Sequence, residues 1–205
     1  MSDFRENTYI CYDEQTLDAV VIDPGFESEK ILERIKEENI KLKAILLTHG
    51  HFDHIGAVDD IRNALGVKAF ACKHEKSTLN NSAVNMSAHS KQHGLIDVEA
   101  DVYLEDGAVI QAGSLKLKLI HTPGHTRGGA CYLINDALFS GDTLFSETVG
   151  RTDLPFSDTA TLLTSIKEKL FTLEDSVVVY PGHGSRTTIG HEKKSNPHFS
   201  ANGLS

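Results

Sequence analysis

Cysteine is scarce in this chain. Cys11, Cys72 and Cys131 are isolated and odd in number, which excludes a disulfide framework and a cluster of thiolate metal ligands. They read as small buried hydrophobes in a reducing compartment. Positive charge is also in short supply: 20 Lys and Arg stand against 29 Asp and Glu, a formal charge of −9. The basic footprint that a nucleic-acid backbone calls for is missing, so nucleic acid is excluded as a partner and a phosphodiester is disfavoured as a substrate. No apolar run approaches membrane-spanning length, and Met1-Ser2-Asp3-Phe4-Arg5-Glu6 has no basic segment followed by an apolar stretch. No membrane contact is expected, and the protein is placed in the cytoplasm. There is no repeat, low-complexity tract or linker; 205 residues at 40% hydrophobic and 24% charged composition predict one domain over residues 1–205 with a substantial core. Finally, there is no Gly-x-Ser-x-Gly elbow and no Cys beside a His, which leaves the chain without an evident covalent nucleophile.

What the chain does have is Thr48-His49-Gly50-His51-Phe52-Asp53-His54, directly after the apolar run Ala44-Ile45-Leu46-Leu47. Imidazole and carboxylate are the ligand types that borderline divalent metals such as zinc take, and ligands crowded onto one loop converge only around a cation, or two. A solvated His-rich loop is the bland alternative, and this density argues against it. On an extended segment neighbours point to opposite sides, so His49 and His51 would face one way and Phe52 and His54 the other. One loop would then feed two adjacent metals.

Three partners follow. His125 lies in Thr122-Pro123-Gly124-His125-Thr126, Asp142 in Ser140-Gly141-Asp142-Thr143-Leu144, and His183 in Tyr180-Pro181-Gly182-His183-Gly184. Each comes after an apolar or alternating run, where a strand ends in a Gly-rich turn, and strand ends on one sheet edge assemble sites from distant parts of a chain. His-x-His-x-Asp-His followed by a His, an Asp and a His in this order resembles the metallo-β-lactamase fold over nearly the whole chain. The resemblance implies a first metal on His49, His51 and His125 and a second on Asp53, His54 and His183. Asp142 would bridge them, and Asp53 and Asp142 would be the carboxylates of the catalytic centre. It favours His125 over His121 as ligand and assigns Asp23 to scaffolding. The metals would be two divalent ions: zinc first, with iron or manganese also compatible with His and carboxylate ligands.

In chain order, residues 8–12 and 18–22 read as a hairpin, followed by a turn at Asp23-Pro24-Gly25 where Asp23 is expected to bond backbone donors. Ser28 is expected to cap a helix over 29–38 with Ile31, Leu32 and Ile35 inward, and the strand at 43–48 delivers the metal loop. Val58, Ile61 and Leu65 form the stripe of a helix stopped by Gly66, and a strand follows at 67–71. Residues 73–95 are polar and weakly periodic: a lid with His89 or His93 reaching inward, or a solvated insertion. Strands at 100–104 and 108–110 flank Glu105-Asp106-Gly107, a hairpin signal. Further strands are expected at 115–120, 130–134, 137–139 and 177–180, with a helix at 158–170 on Leu162, Leu163, Ile166 and Leu170. The fold class is α/β, an αββα sandwich of four layers with two sheets face to face and the metal loops along one edge.

The chemistry expected from two such metals is hydrolysis by a bridging hydroxide, since one zinc alone brings a water to a pKa of about 7. An amine must be protonated as it leaves, whereas a thiolate, with a thiol pKa near ~8.5, leaves unassisted. A thioester is therefore the expected small-molecule partner, with lactones and other activated esters behind it. Gly141-Asp142-Thr143-Leu144-Phe145, Gly150-Arg151-Thr152-Asp153-Leu154-Pro155 and Tyr180-Pro181-Gly182-His183-Gly184 resemble the glyoxalase II branch, the hydroxyacylglutathione hydrolases, in its short single-domain bacterial form. Typical members carry a C-terminal helical domain with cationic contacts to glutathione, and a Lys and a Tyr where Arg151 and Asp153 stand; here that grip is largely missing. Arg151 is either a substrate-carboxylate contact or a loop-fixing partner of Asp153. The competing resemblance is to a persulfide dioxygenase with a single iron, which shares the Gly-Arg-Thr-Asp segment; retention of Asp53, His54 and His183 favours two metals.

Overall fold

The computed structural model describes residues 6–199; the expectation for the amino-terminal segment falls almost wholly outside them. Strands β1 (Tyr9–Tyr12) and β2 (Asp18–Ile22) pair antiparallel as expected. Helix α1 (Ser28–Glu37) follows, then β3 (Lys41–Leu47), the short α2 (Phe52–Ile55), α3 (Val58–Leu65), β4 (Lys68–Cys72), α4 (Lys76–Leu79) and β5 (Val102–Leu104). Together β1-β2-β3-β4-β5 make one sheet, parallel from β2 onward. The second half contributes β6 (Val109–Ala112), β7 (Leu115–His121), β8 (Ala130–Ile134), β9 (Ala137–Gly141), the small hairpin β10 (Leu144–Phe145) and β11 (Thr148–Val149), α5 (Thr159–Ser165), β12 (Val178–Pro181), β13 (Thr187–Thr188) and α6 (Ile189–Ser195). Its sheet runs β13-β12-β9-β8-β7-β6.

Three apolar clusters define the layers. Ile31, Ile35, Val58 and Ile61 from α1 and α3 pack on Val21, Ile45 and Leu47 of the first sheet. Val20, Ile22 and Leu46 face Leu117, Leu119 and Tyr132 between the sheets. Leu162, Ile166 and Leu170 cover Cys131, Leu138 and Val179 on the outer face of the second sheet. That is the four-layer αββα order, and the alternation in Leu115-Lys116-Leu117-Lys118-Leu119, with leucines buried and lysines exposed, shows the period-2 pattern that drives it.

Several expectations are corrected. Residues 105–107 do not close a hairpin: β5 pairs with β4 in the first sheet while β6 pairs with β7 in the second, so this turn carries the chain from one sheet to the other. Ser28 does not cap α1. It is the first helical residue, its hydroxyl donates to Asp60 Oδ2 at 2.8 Å, and Glu27 takes the cap position. Leu65, on the expected buried stripe, is 41% exposed. The helix from Asp158 switches to a π turn at Ile166–Leu170; of its expected stripe Leu162, Ile166 and Leu170 are buried, whereas Leu163 is only half-buried. Cys72 and Cys131 are buried, but Cys11 is only half-buried, and all three are free thiols. Among the described residues no helix is long and apolar enough to cross a membrane.

Candidate metal centre

Topology brings the motif residues to one edge. Because β7 and β8, and β8 and β9, run antiparallel while β9 and β12 run parallel, the carboxyl ends of β7, β9 and β12 share a side of their sheet. His125, Asp142 and His183 lie just past those ends. In the other sheet β2 and β3 run parallel, and Asp23 and His49 leave their carboxyl ends. Ala130 N donates to Thr48 O at 2.8 Å and Tyr132 Oη to Leu47 O at 3.0 Å, which locks the two edges together.

All seven predicted ligands meet there. His49, His51 and His125 form one triad with ligand atoms in reach of a single ion, and Asp53, His54 and His183 form another. Asp142 stands between: Oδ2 is 3.6 Å from His125 Nε2 and 3.6 Å from His183 Nε2, and Oδ1 is 3.5 Å from His54 Nε2. The expected alternation within the motif holds only in part. After His51 the chain coils into α2, so Asp53 and His54 join the same triad while Phe52 packs near Phe26 and His93.

Three of the imidazoles, His49, His54 and His125, are oriented from behind. Asp23 accepts Thr48 N at 2.7 Å through Oδ1, and Thr48 Oγ1 at 2.5 Å and His54 Nδ1 at 3.0 Å through Oδ2. With its proton given to Asp23, the Thr48 hydroxyl accepts from His49 Nδ1 at 3.1 Å. His125 Nδ1 donates to Arg151 O at 2.7 Å. These bonds place the protons on Nδ1 and leave the Nε2 lone pairs of His49, His54 and His125 aimed at the centre, the arrangement that fixes metal-ligating histidines. His51 instead presents Nδ1, 3.0 Å from His125 Nε2, and His54 Nε2 stands 3.3 Å from His183 Nε2. Two nitrogens on one tetrahedral ion at 2.0–2.1 Å lie about 3.3 Å apart, so these spacings fit ligands of shared cations. Buried His49 Nε2 and Asp142 Oδ1 have no hydrogen-bond partner among the described residues, and a cation supplies one. The residues present fit two divalent metals.

Electrostatics agree. Burial first, then neighbouring imidazoles, hold His49 and His51 well below the usual histidine range, so both are neutral donors. Burial also lowers His125 against the pull of Asp142. At the second triad burial is outweighed: Asp142, Asp53 and Asp23 push His54 up to about 10, and Asp53 and Asp142 raise His183. Asp53, despite burial, is held well below the carboxylate range by His54 and His183. A field that stabilises a proton this strongly equally favours a metal cation.

Asp23 provides a test of this support. Asparagine has one acceptor oxygen where Asp23 uses two, so Asp23→Asn is expected to weaken metal binding and turnover by about 10- to 100-fold. Chelator competition checks it; wild-type affinity in the variant would reduce Asp23 to a turn residue.

Glu75 carries no motif or spacing that marks it in the sequence. Fully buried, it takes Gly50 N at 2.9 Å on one oxygen and Thr126 Oγ1 at 2.9 Å and Gly128 N at 2.7 Å on the other. It thus ties the His49–His51 loop to the His125 loop. Burial pushes its carboxyl up to about 7 against these donors. His121 is the strand-end residue expected: its Nε2 pairs with Arg127 O at 2.9 Å and its ring stacks on His74. Arg151 makes a bidentate pair with Asp153 at 2.7 and 2.8 Å, the loop-fixing role, although it also lines the cavity over the cluster. Of the two open histidines, His89 lines that cavity and His93 stacks on Phe26 at 3.9 Å between centroids.

The profile of the Metallo-beta-lactamase superfamily matches residues 6–183. Hydroxyacylglutathione hydrolase GloC of Haemophilus influenzae is 36% identical over 200 residues, 95% of this chain and 92% of that protein. Among solved structures, BLEG-1 B3 metallo-beta-lactamase superposes with a TM-score of 0.92 at 36% identity, covering 98% of this chain and 97% of the other. TTHA1623 in a di-iron-bound form superposes at 0.84 and 34% identity, covering 96% of each.

Proposed function

The chain belongs to the metallo-beta-lactamase superfamily, and from this we propose a dinuclear metal-dependent hydrolase that cleaves thioesters of the hydroxyacylglutathione type. One observation carries the reading: two ligand triads with Asp142 between them open onto a cavity of about 520 Å³ in whose lining, among the described residues, neither hydroxyl, Ser90 or Thr148, is bonded to a histidine or carboxylate that would activate it. Ser90, the serine of the lining, is occupied in capping the turn to His93 through its Oγ. The cysteines stay out of the lining, and burial pushes the Cys72 and Cys131 thiols up to about 11.

His49, His51 and His125 would hold one divalent ion and Asp53, His54 and His183 the other, with Asp142 shared. When bound, such a pair supplies an acidified water and a Lewis acid for the acyl oxygen. The chain does the rest. Asp23, Thr48 and the Arg151 carbonyl keep His54, His49 and His125 in their donor tautomers, and Phe52 and Met86 give the cavity an apolar lining beside the cluster. Thiolates leave without a proton donor, which fits a lining whose titratable groups are, His89 and Arg151 apart, the proposed ligands. GloC of Haemophilus influenzae carries a name consistent with this reaction. The ligand set of nitrogens and carboxylates accepts zinc, iron or manganese.

The deciding experiment is elemental analysis with a panel comprising lactoylglutathione, a lactone, a chromogenic β-lactam and a phosphodiester, and oxygen uptake on glutathione persulfide. Thioester cleavage is expected to dominate with two metals per chain. Oxygen uptake at turnover rates, or a preferred lactam or phosphodiester, would displace the reading. Because Arg151 is already paired, KM for lactoylglutathione is expected toward the ~1 mM end of the usual enzyme range; a low-micromolar value would contradict this.

A further inference from the structure

We propose that the cavity takes an uncharged, apolar acyl group, so that acyl thioesters of medium chain length are better substrates than thioesters of glutathione; this rests on the thioester reading above. Beyond the proposed ligands the lining is dominated by Phe52, Met86, Phe145, Val149 and Leu154. All but Phe52 are half-exposed, so they present open apolar surface beside the cluster. A cavity of about 520 Å³ falls in the range of small-molecule sites, in which apolar walls bind and a few polar groups orient. Methionine in such a wall adapts to chains of different shape.

The wall is built in advance. Buried Glu192 accepts Glu147 N at 3.0 Å, and Asn196 Nδ2 donates to Thr148 O at 3.1 Å. Helix α6 thereby fixes the β10–β11 hairpin that carries Phe145 and Val149.

Charge argues the same way. Glutathione brings two carboxylates, and each is best met by a free guanidinium or an equivalent donor pair. Among the described residues the lining contains no Lys, and its single Arg, Arg151, is spent on Asp153 through two hydrogen bonds of 2.7 and 2.8 Å. An alkyl chain needs no such partner. In the reaction a water oxygen adds to the acyl carbon, the C–S bond breaks with its electron pair on sulfur, and the protons of water end on the thiol and in solvent. The thiol carrier then leaves from the open side of the cavity.

The test uses the metal-loaded protein and acetyl, butyryl and hexanoyl thioesters of N-acetylcysteamine beside lactoylglutathione. A buried methylene is worth about fourfold, so kcat/KM is expected to rise at least ~30-fold from acetyl to hexanoyl, after allowance for half-exposed wall positions. Phe145→Ser and Met86→Ser should each shrink the hexanoyl-to-acetyl ratio at least ~5-fold. Asp153→Ser, which frees the guanidinium, should raise kcat/KM for lactoylglutathione several-fold. A flat or falling series, unchanged ratios in both wall variants, or lactoylglutathione outrunning the hexanoyl ester would overturn the proposal, and no gain in Asp153→Ser would overturn its charge argument. If no thioester is turned over, the reaction assignment fails on its own. Calorimetry with acetate and hexanoate then decides the wall: tighter hexanoate supports it, equal affinities overturn it.

Discussion

Replacing Asp142 with alanine is expected to lower kcat/KM for thioesters by more than ~10³-fold and to leave the protein short of metal. Loss of a group that merely orients a ligand already costs about 10- to 100-fold, and Asp142 is the carboxylate between both triads, within 3.5–3.6 Å of His54, His125 and His183. No other side chain can take its place. Gly141 before it sits at φ 48°, and a Cβ on Gly182 would lie 2.3 Å from Asp142 Oδ1. The chain at Gly182 therefore passes close against the carboxylate, whose Oδ2 lies between His125 and His183 while Oδ1 faces His54. Asp142→Asn keeps the shape but removes the charge that favours cations, so it should lie between wild type and alanine in metal content. Elemental analysis and thioester kinetics on one preparation check both variants. Near-normal turnover with a full metal complement in Asp142→Ala would show that the bridging assignment is wrong.

The ligands were legible in the sequence for a physical reason. Metal coordination demands residue types that are costly to bury without partners, and His49-Gly50-His51-Phe52-Asp53-His54 concentrates them where an apolar strand stops. His125, Asp142 and His183 were legible because Pro-Gly and Gly turns mark strand ends, and strands of like direction place those ends together. Partner choice was less visible. Glu105-Asp106-Gly107 has hairpin chemistry, yet Asp106 accepts His121 N at 2.8 Å and Lys169 Nζ at 2.7 Å, so the turn is fixed to the second sheet after β5 has paired in the first. Turn residues announce a change of direction and leave the next neighbour open. The same limit hid the one-turn helix at Phe52, because four residues are too few to show a 3.6-residue period against alternation. Between residues 73 and 95 structure comes from side chains bonding backbone: Asn85 Nδ2 donates to Ile96 O at 2.6 Å, and Ser87 Oγ accepts Ile96 N at 3.0 Å. Such bonds leave no hydrophobic pattern to read.

Glu75 belongs to that unreadable stretch, and Glu75→Ala is expected to destabilise the protein strongly and to unsettle one half of the metal centre. The side chain is 0% exposed, and its removal strands the Gly50 and Gly128 N–H groups and the Thr126 hydroxyl in the interior. Each buried orphan costs about 1–3 kcal/mol, and since neighbouring losses are not additive a total of roughly 3–5 kcal/mol is expected. Water does not easily fill the gap, because the chain is tightly apposed there: a Cβ on Gly128 would meet Glu75 N at 2.2 Å. The consequence for the metals is selective. Gly50 stands between His49 and His51 and Thr126 directly follows His125, so the three imidazoles of the first triad lose their common brace, whereas His54 of the second triad keeps its bond to Asp23. Metal content should fall from two toward one ion per chain. Glu75→Gln retains the volume but offers one acceptor oxygen to donors that approach from two sides, so it should fall between wild type and alanine in both melting temperature and first-site affinity. Thermal unfolding and chelator titration separate the two roles. An alanine variant that loses stability yet keeps both metals at wild-type affinity would make Glu75 a packing element only; one that keeps both properties would remove it from the site altogether.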